Sequence, residues 1–530
     1  SYSTAVGTYA LTANTTGNWN TATGREALSA NTGSNNTAFG AMALVSNTTA
    51  SNNTAVGYQA GYANTTGAQN TFVGNISGDA NTSGSENASL GYWSLTENTT
   101  GNYNVALGSR SLKSNTTASD IVAVGYQSLY SNTTGADHVA IGHTALYSNT
   151  TGATNVAVGQ ASLNANTTGS KNTALGTQAL RFNTTGSNHT AVGYQALYTA
   201  AAGGYNTAVG DKANYLTTTG NYNTSLGAAA LYSNTTASYN TAVGYQAGYT
   251  NTTGNVTAFG AQALKSNTTG SYNTAVGGSA LQSNTTANFN TSVGFQSSYT
   301  NTTGDYNTAV GYLSLFSNTT GGTNTAVGHQ SAYLNTTGTA NAAFGIYALK
   351  NNTTGASNTA LGYATLFSNT TATGNIAVGY GALYSNTTGF QNVALGVDAG
   401  GAVTTGQENT FIGQKSGNYL NTTTTGTANA LVGAYMRTDG AGTNFASGLG
   451  YNVECAGGYT TLGQGTNDIR AAHGNVTWAT VSDERYKKDI TDATAGLSFI
   501  NDLTPRTFKY KNLGELPDTF SAYKRGQDGY

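Results

Sequence analysis

The chain has 530 residues, of which 19 are Lys or Arg and 21 are Asp or Glu, so only 8 % carry charge and the net charge is −2. So few cations leave no electrostatic footprint for nucleic acid, and no apolar run reaches the ~18 residues of a membrane-spanning helix. A single cysteine, Cys455, rules out an internal disulfide framework.

From Ser1 the chain reads as if it starts inside a repeat, with neither an initiator Met nor a signal peptide. One glycine marks each repeat. It falls at Gly7, Gly24, Gly40, Gly57, Gly74, Gly91, Gly108 and Gly125 and continues to Gly413, with a spacing of 17 apart from two intervals of 16. The 24 repeats between Gly7 and Gly413 span 406 residues. A fixed period of this kind marks one structural unit stacked on itself. Asn, Thr and Gly are poor helix formers, and no amphipathic helical stripe survives between the NTTG turns. The expected fold is therefore all-β: a repetitive β-solenoid with about 17 residues per coil, two short strands in each coil, and successive coils ~4.8 Å apart.

Three columns of the repeat carry the expected structure. The residue before the marked glycine (Val6, Phe39, Val56, Leu107, Ile141) is apolar and is expected to point inward. Four residues after the glycine stands Leu28, Leu44, Leu95, Leu112 or Leu129, a second core position. Seven residues after it stands Asn in 21 of 24 repeats, with Ala200, Thr217 and Val403 as exceptions. Asn at one place in every coil can form an amide ladder along the stack, and the glycine that ends NTTG is expected to give the turn its positive φ. Each Asn-Thr-Thr is also formally a glycosylation sequon, but a coil corner accounts for the whole motif. The 35 tyrosines recur beside the glycine (Tyr58, Tyr126, Tyr194) and four residues later (Tyr62, Tyr130, Tyr147). Such rows suit packing between chains or stacking on sugar rings.

The repeated Ala-(Val/Ile/Leu)-Gly core, as in Ala123 to Gly125, resembles the heads of trimeric autotransporter adhesins, and the 17-residue arrays are similar to those of tail-fibre proteins. The adhesin resemblance implies a trimer of β-rolls over residues 1–416.

After Gly413 the marked spacing changes to 20, 15 and 15, through Gly433, Gly448 and Gly463, which suggests an irregular neck over 417–481. From 482 to 530 the composition switches, with 16 of the 40 charged residues and both prolines. Ser482 can cap a helix that has Asp483 and Glu484 in its first turn, and a strand is expected near Arg506. This small α+β segment, with SDERYKKDI at 482–490 and Leu503, Pro505, Phe508 and Tyr510 behind it, resembles the start of the intramolecular chaperone domain of phage tail spikes and fibres. The resemblance implies trimerisation and one self-cleavage at the Val481–Ser482 bond, with Ser482 as nucleophile and Lys487 as its base.

Carboxylates in the repeats, such as Glu26, Asp79 and Glu97, fall at unrelated positions and offer no pair for glycoside cleavage. The histidines show no metal-ligand spacing, so no metal and no cofactor are expected. The reading is a structural, adhesive fibre outside the cell, a virus tail fibre, with its own copies and a cell-surface glycan or protein receptor as partners. A bacterial surface adhesin is the alternative, and an ice-binding solenoid or a polysaccharide depolymerase ranks below it.

Overall fold

The computed structural model describes residues 2–420, 422–474 and the backbone of 479–480. All of these but Thr480 belong to one compact unit, Ser1–Ala479. Twenty-six short strands, from Thr4–Val6 to Ala430–Val432 with Arg437–Thr438 as the first departure, each come from one coil. Every strand pairs in parallel with its neighbour in sequence, equivalent residue on equivalent residue: Thr4 with Thr21, Val122 with Val139, Thr359 with Ile376. The marked glycines therefore line up as one column, and no helix occurs among the described residues.

From Gly7 to Gly433 each coil holds one strand where two were expected. The strand is usually three residues long, Thr-Ala-Val in form, and the rest of the coil is a chain of turns. The backbone alternates there between right-handed and left-handed conformations. In the coil after Gly125, Gln127 (φ 54°) and Leu129 (φ 49°) are left-handed, and so is Asp137 (φ 61°) at the far corner. A non-glycine residue rarely takes this conformation, yet here it recurs in nearly every coil. It is held by hydrogen bonds to both neighbouring coils: Gln127 N–H donates to Ser109 O at 3.1 Å and Leu129 N–H to Ala145 O at 2.9 Å. Sheet-like bonding between coils thus continues where the strand dihedrals have ended.

The inward strand residue is the alanine, not the apolar residue beside the glycine. Ala22, Ala38, Ala55, Ala106 and Ala123 are fully buried, whereas Val6, Phe39, Val56 and Leu90 are 40 to 57 % exposed. Strand side chains alternate between faces, so only one of the two neighbours can enter. The interior is one Leu wide, and opposite that Leu there is room for a methyl group. The leucines at the second expected core position, Leu28, Leu44, Leu95 and Leu112, are buried as the sequence suggested.

Two coils prove the volume rule by breaking it. Phe72 replaces the inward alanine, and the leucine positions on either side of it are Gly61 and Gly78. A Cβ on Gly61 would stand 2.8 Å from Phe72 Cδ2. Phe411 repeats the exchange with Gly400 and Gly417; a Cβ on Gly400 would lie 2.7 Å from its ring.

Positive φ belongs to the marked glycine, not to the one that ends NTTG. Gly125 has φ 127°, and a Cβ there would meet Gly142 O at 2.6 Å. Gly135, at the end of NTTG, has no positive φ. Ala50, Ala118 and Ala237 occupy its place in other coils.

Beyond Gly413 the stack continues. Ile412 pairs with Val432, Val432 with Leu449, and Gly450 with Gly463. The glycine column thus runs through Gly433, Gly450 and Gly463. Gly448 is instead an inward strand residue facing Leu431, because the coil there is rebuilt around Met436 and Cys455. Tyr459–Gln464 then turns back through Gly465 to pair antiparallel with Asn467–Ala472.

Candidate binding surface

Side chains at equivalent places in each coil form columns along the stack, so one residue choice becomes a row. Two rows are buried amides. In the expected one, Asn132 Nδ2 donates to Asn115 Oδ1 at 3.0 Å and to Gly135 O at 2.9 Å, and Asn149 repeats the pattern on Asn132 at 2.8 Å. These amide nitrogens are buried and committed, which fits the ladder and not a glycan attachment. Where the next rung is Ala200 or Val403, the Oδ1 of Asn183 or Asn386 has no partner.

The sequence reading missed the second amide row, Asn36, Asn53, Asn70, Asn87 and Asn104, four residues before each marked glycine. Asn53 Oδ1 accepts the backbone N–H of Asn70 at 2.8 Å, and Asn70 Nδ2 donates to Gly84 O at 2.8 Å. Its signal was present as a second Asn of period 17. His138 and His189 stand in this row and are buried. Burial holds the His138 imidazole below its ordinary range and pushes His189 down to about 4.

Outward rows supply the surface. The first Thr of NTT turns its hydroxyl to the next coil, Thr65 Oγ1 to Thr82 O at 3.0 Å, while the second Thr (Thr66, Thr100, Thr117, Thr134) is exposed. Both expected tyrosine rows stack. Tyr198, Tyr215, Tyr232 and Tyr249 follow one another with ring centroids 4.9, 5.0 and 5.1 Å apart, and Tyr363 lies 5.1 Å from Tyr380. A third aromatic row, which the sequence reading did not single out, lies at the left-handed corner. It includes Tyr205, Tyr222 and Tyr239, then Tyr272, Phe289 and Tyr306.

Ionisable groups are sparse and scattered. Asp79 is pushed up to about 6 by burial, and its Oδ1 has no partner. The Cys455 thiol is pushed up to about 12 by burial, which keeps it protonated and unreactive. Lys113 pairs with Glu97 at 2.9 Å and Arg437 with Glu454 at 3.2 Å. Among the described residues no three His, Cys, Asp or Glu side chains converge to hold a metal ion, and no helix is long and apolar enough to cross a membrane.

The two residues assigned to self-cleavage, Ser482 and Lys487, lie outside the described residues. No curated protein and no solved structure matches the chain. Residues 482–525 match the family model described as chaperone of endosialidase.

Proposed function

We propose that this chain is the adhesive shaft of an extracellular fibre, a virus tail fibre that attaches to a host surface as a homotrimer. The observation that carries this reading is the pairing of an in-register coil stack with a chaperone-of-endosialidase match at its C-terminal end. A stack of identical coils does no turnover chemistry of its own; it sets length and presents repeated rows. Its outward strand column (Val56, Leu90, Leu107, Ile141) is apolar in nearly every repeat and half-buried to exposed, and an apolar face of this kind suits burial against other copies.

In this reading the C-terminal segment assembles three chains and then cuts the Val481–Ser482 bond. The Ser482 hydroxyl attacks the carbonyl on its N-terminal side while Lys487 takes its proton and passes it to the departing Ser482 amine, and water then hydrolyses the resulting ester. A serine needs such a base, and a lysine must be partly desolvated to act as one. The partner on the target cell is a surface glycan or protein.

Full-length protein tests the assembly. Sedimentation of the uncleavable Ser482→Ala variant should give three times the 53.9 kDa chain mass, and mass spectrometry of the parent should show cleavage before Ser482 that this substitution abolishes. A monomer in sedimentation contradicts the reading. Binding of the fluorescently labelled trimer to intact bacteria supports a viral fibre; a membrane anchor on the native protein supports a bacterial adhesin instead.

A further inference from the structure

Between Tyr205 and Tyr306 the third aromatic row is interrupted once, and the interruption has the thickness of one ring. Tyr222 and Tyr239 stack at 5.2 Å, and Tyr272 and Phe289 at 5.1 Å. Between Tyr239 and Tyr272 lies the coil from Gly244 to Gly260, one of the two that are a residue short.

Hydrogen bonds identify the missing residue. Asn255 N–H donates to Ser271 Oγ at 3.4 Å, as Asn221 N–H does to Ser238 Oγ at 3.0 Å. Tyr272 N–H donates to Asn255 O at 2.7 Å, as Tyr239 N–H does to Asn221 O at 3.0 Å. Val256 N–H takes Asn240 Oδ1 at 2.7 Å, the role of an Asn in the second amide row. Asn255 and Val256 therefore flank the place where other coils put their left-handed corner residue. That residue is absent, and no positive φ occurs between Gly248 and Gly260.

The result is a slot. Tyr239 and Tyr272 are two coil steps apart, about 10 Å at ~4.8 Å per step, so a ring inserted midway would sit about 5 Å from each, the spacing that aromatic pairs keep. The two walls are barer than their stacked neighbours: Tyr239 is 70 % and Tyr272 63 % exposed, against 50 % for Tyr222 and 47 % for Phe289. Asn255, Thr257 and Thr274 line the cleft with polar groups, and its volume is about 360 Å³, within the usual range for small-ligand sites. No charged residue lines it.

Building on the adhesive-fibre reading, we propose that this slot binds one neutral pyranose ring of a surface polysaccharide, sandwiched between Tyr239 and Tyr272. Both walls are apolar faces, so the guest needs an apolar face on each side and polar groups around its edge. An all-equatorial pyranose of gluco configuration has that form: axial C–H groups above and below, hydroxyls at the rim for Asn255 and Thr257. An axial hydroxyl, as in a galactoside or mannoside, would press a polar group against a tyrosine face and lose its hydration without a partner.

Full-length protein titrated with methyl β-glucoside, followed by saturation-transfer NMR, should show saturable binding, with the galactoside and mannoside roughly tenfold weaker or worse. Tyr239→Ala and Tyr272→Ala should each weaken the glucoside by a similar factor, while Tyr222→Ala, inside the stack, should leave it within about twofold. Inserting a tyrosine between Asn255 and Val256 restores the 17-residue coil, so it should fold and abolish binding. Glucoside binding that survives the insertion, no saturable binding by the parent, or preferential binding of adenosine overturns the proposal. If the parent fails to bind the glucoside while both it and the filled variant still bind cells, the slot is refuted and the fibre reading stands.

Discussion

Asn183 shows how much of the stability of a single rung lies in the next one. Its Oδ1 is buried without a partner because Ala200 stands where the following coil should supply an amide. Ala200→Asn should complete the row and raise stability by about 1 kcal/mol, whereas Asn132→Ala, in mid-row, should cost about 1–3 kcal/mol by stranding Asn115 Oδ1; thermal denaturation measures both. His189 occupies the second amide row with a folded pKa of about 4, below its ordinary 6.5. Between these values the unfolded chain binds a proton that the folded chain does not. The neutral imidazole thus contributes stability above pH 6.5 that is lost as pH falls toward 4, on the order of 3 kcal/mol in total. His189→Asn should remove this loss, so the variant should melt higher than the parent at pH 5 by more than at pH 7.5. Asp79, raised to about 6, acts in the opposite sense over an overlapping window, and the comparison between parent and variant cancels it.

At the scale of the coil, core volume is conserved between neighbours rather than within one repeat. Phe72→Ala alone should leave a cavity and cost about 3–5 kcal/mol. Adding Gly61→Leu and Gly78→Leu should recover most of that, since leucine takes the same left-handed φ in other coils, as at Leu95 (φ 51°); denaturant melts of the single and triple variants read it directly. The coil period, the Leu column and the first Asn ladder were legible in the sequence because each is a bare count of 17. The inward strand face was not, since Ala and Val are both apolar and only the one-leucine width of the interior decides between them. The single strand per coil was also hidden. Left-handed turns at ordinary residues such as Gln127 and Leu129 have no composition signal, being imposed by the hydrogen bonds of adjacent coils. The slot was hidden in a 16-residue interval whose missing residue only the pairing between coils identifies.

For the molecule as a whole, register carries everything else. In-register stacking turns one tyrosine per coil into a row, one Asn into a ladder and one deletion into a slot. If a C-terminal chaperone sets the alignment of three chains, a chain ending at residue 481 should yield fewer trimers on refolding than the full chain, and light scattering after refolding measures that fraction. The most direct test of the account is a density map of the purified full-length protein at side-chain resolution. The account predicts the marked glycines in one column with a step of ~4.8 Å, Asn132 facing Asn115 and Asn149, and a gap one ring thick between Tyr239 and Tyr272. Coils offset by a residue from their neighbours, or strands paired antiparallel through the repeats, would contradict it.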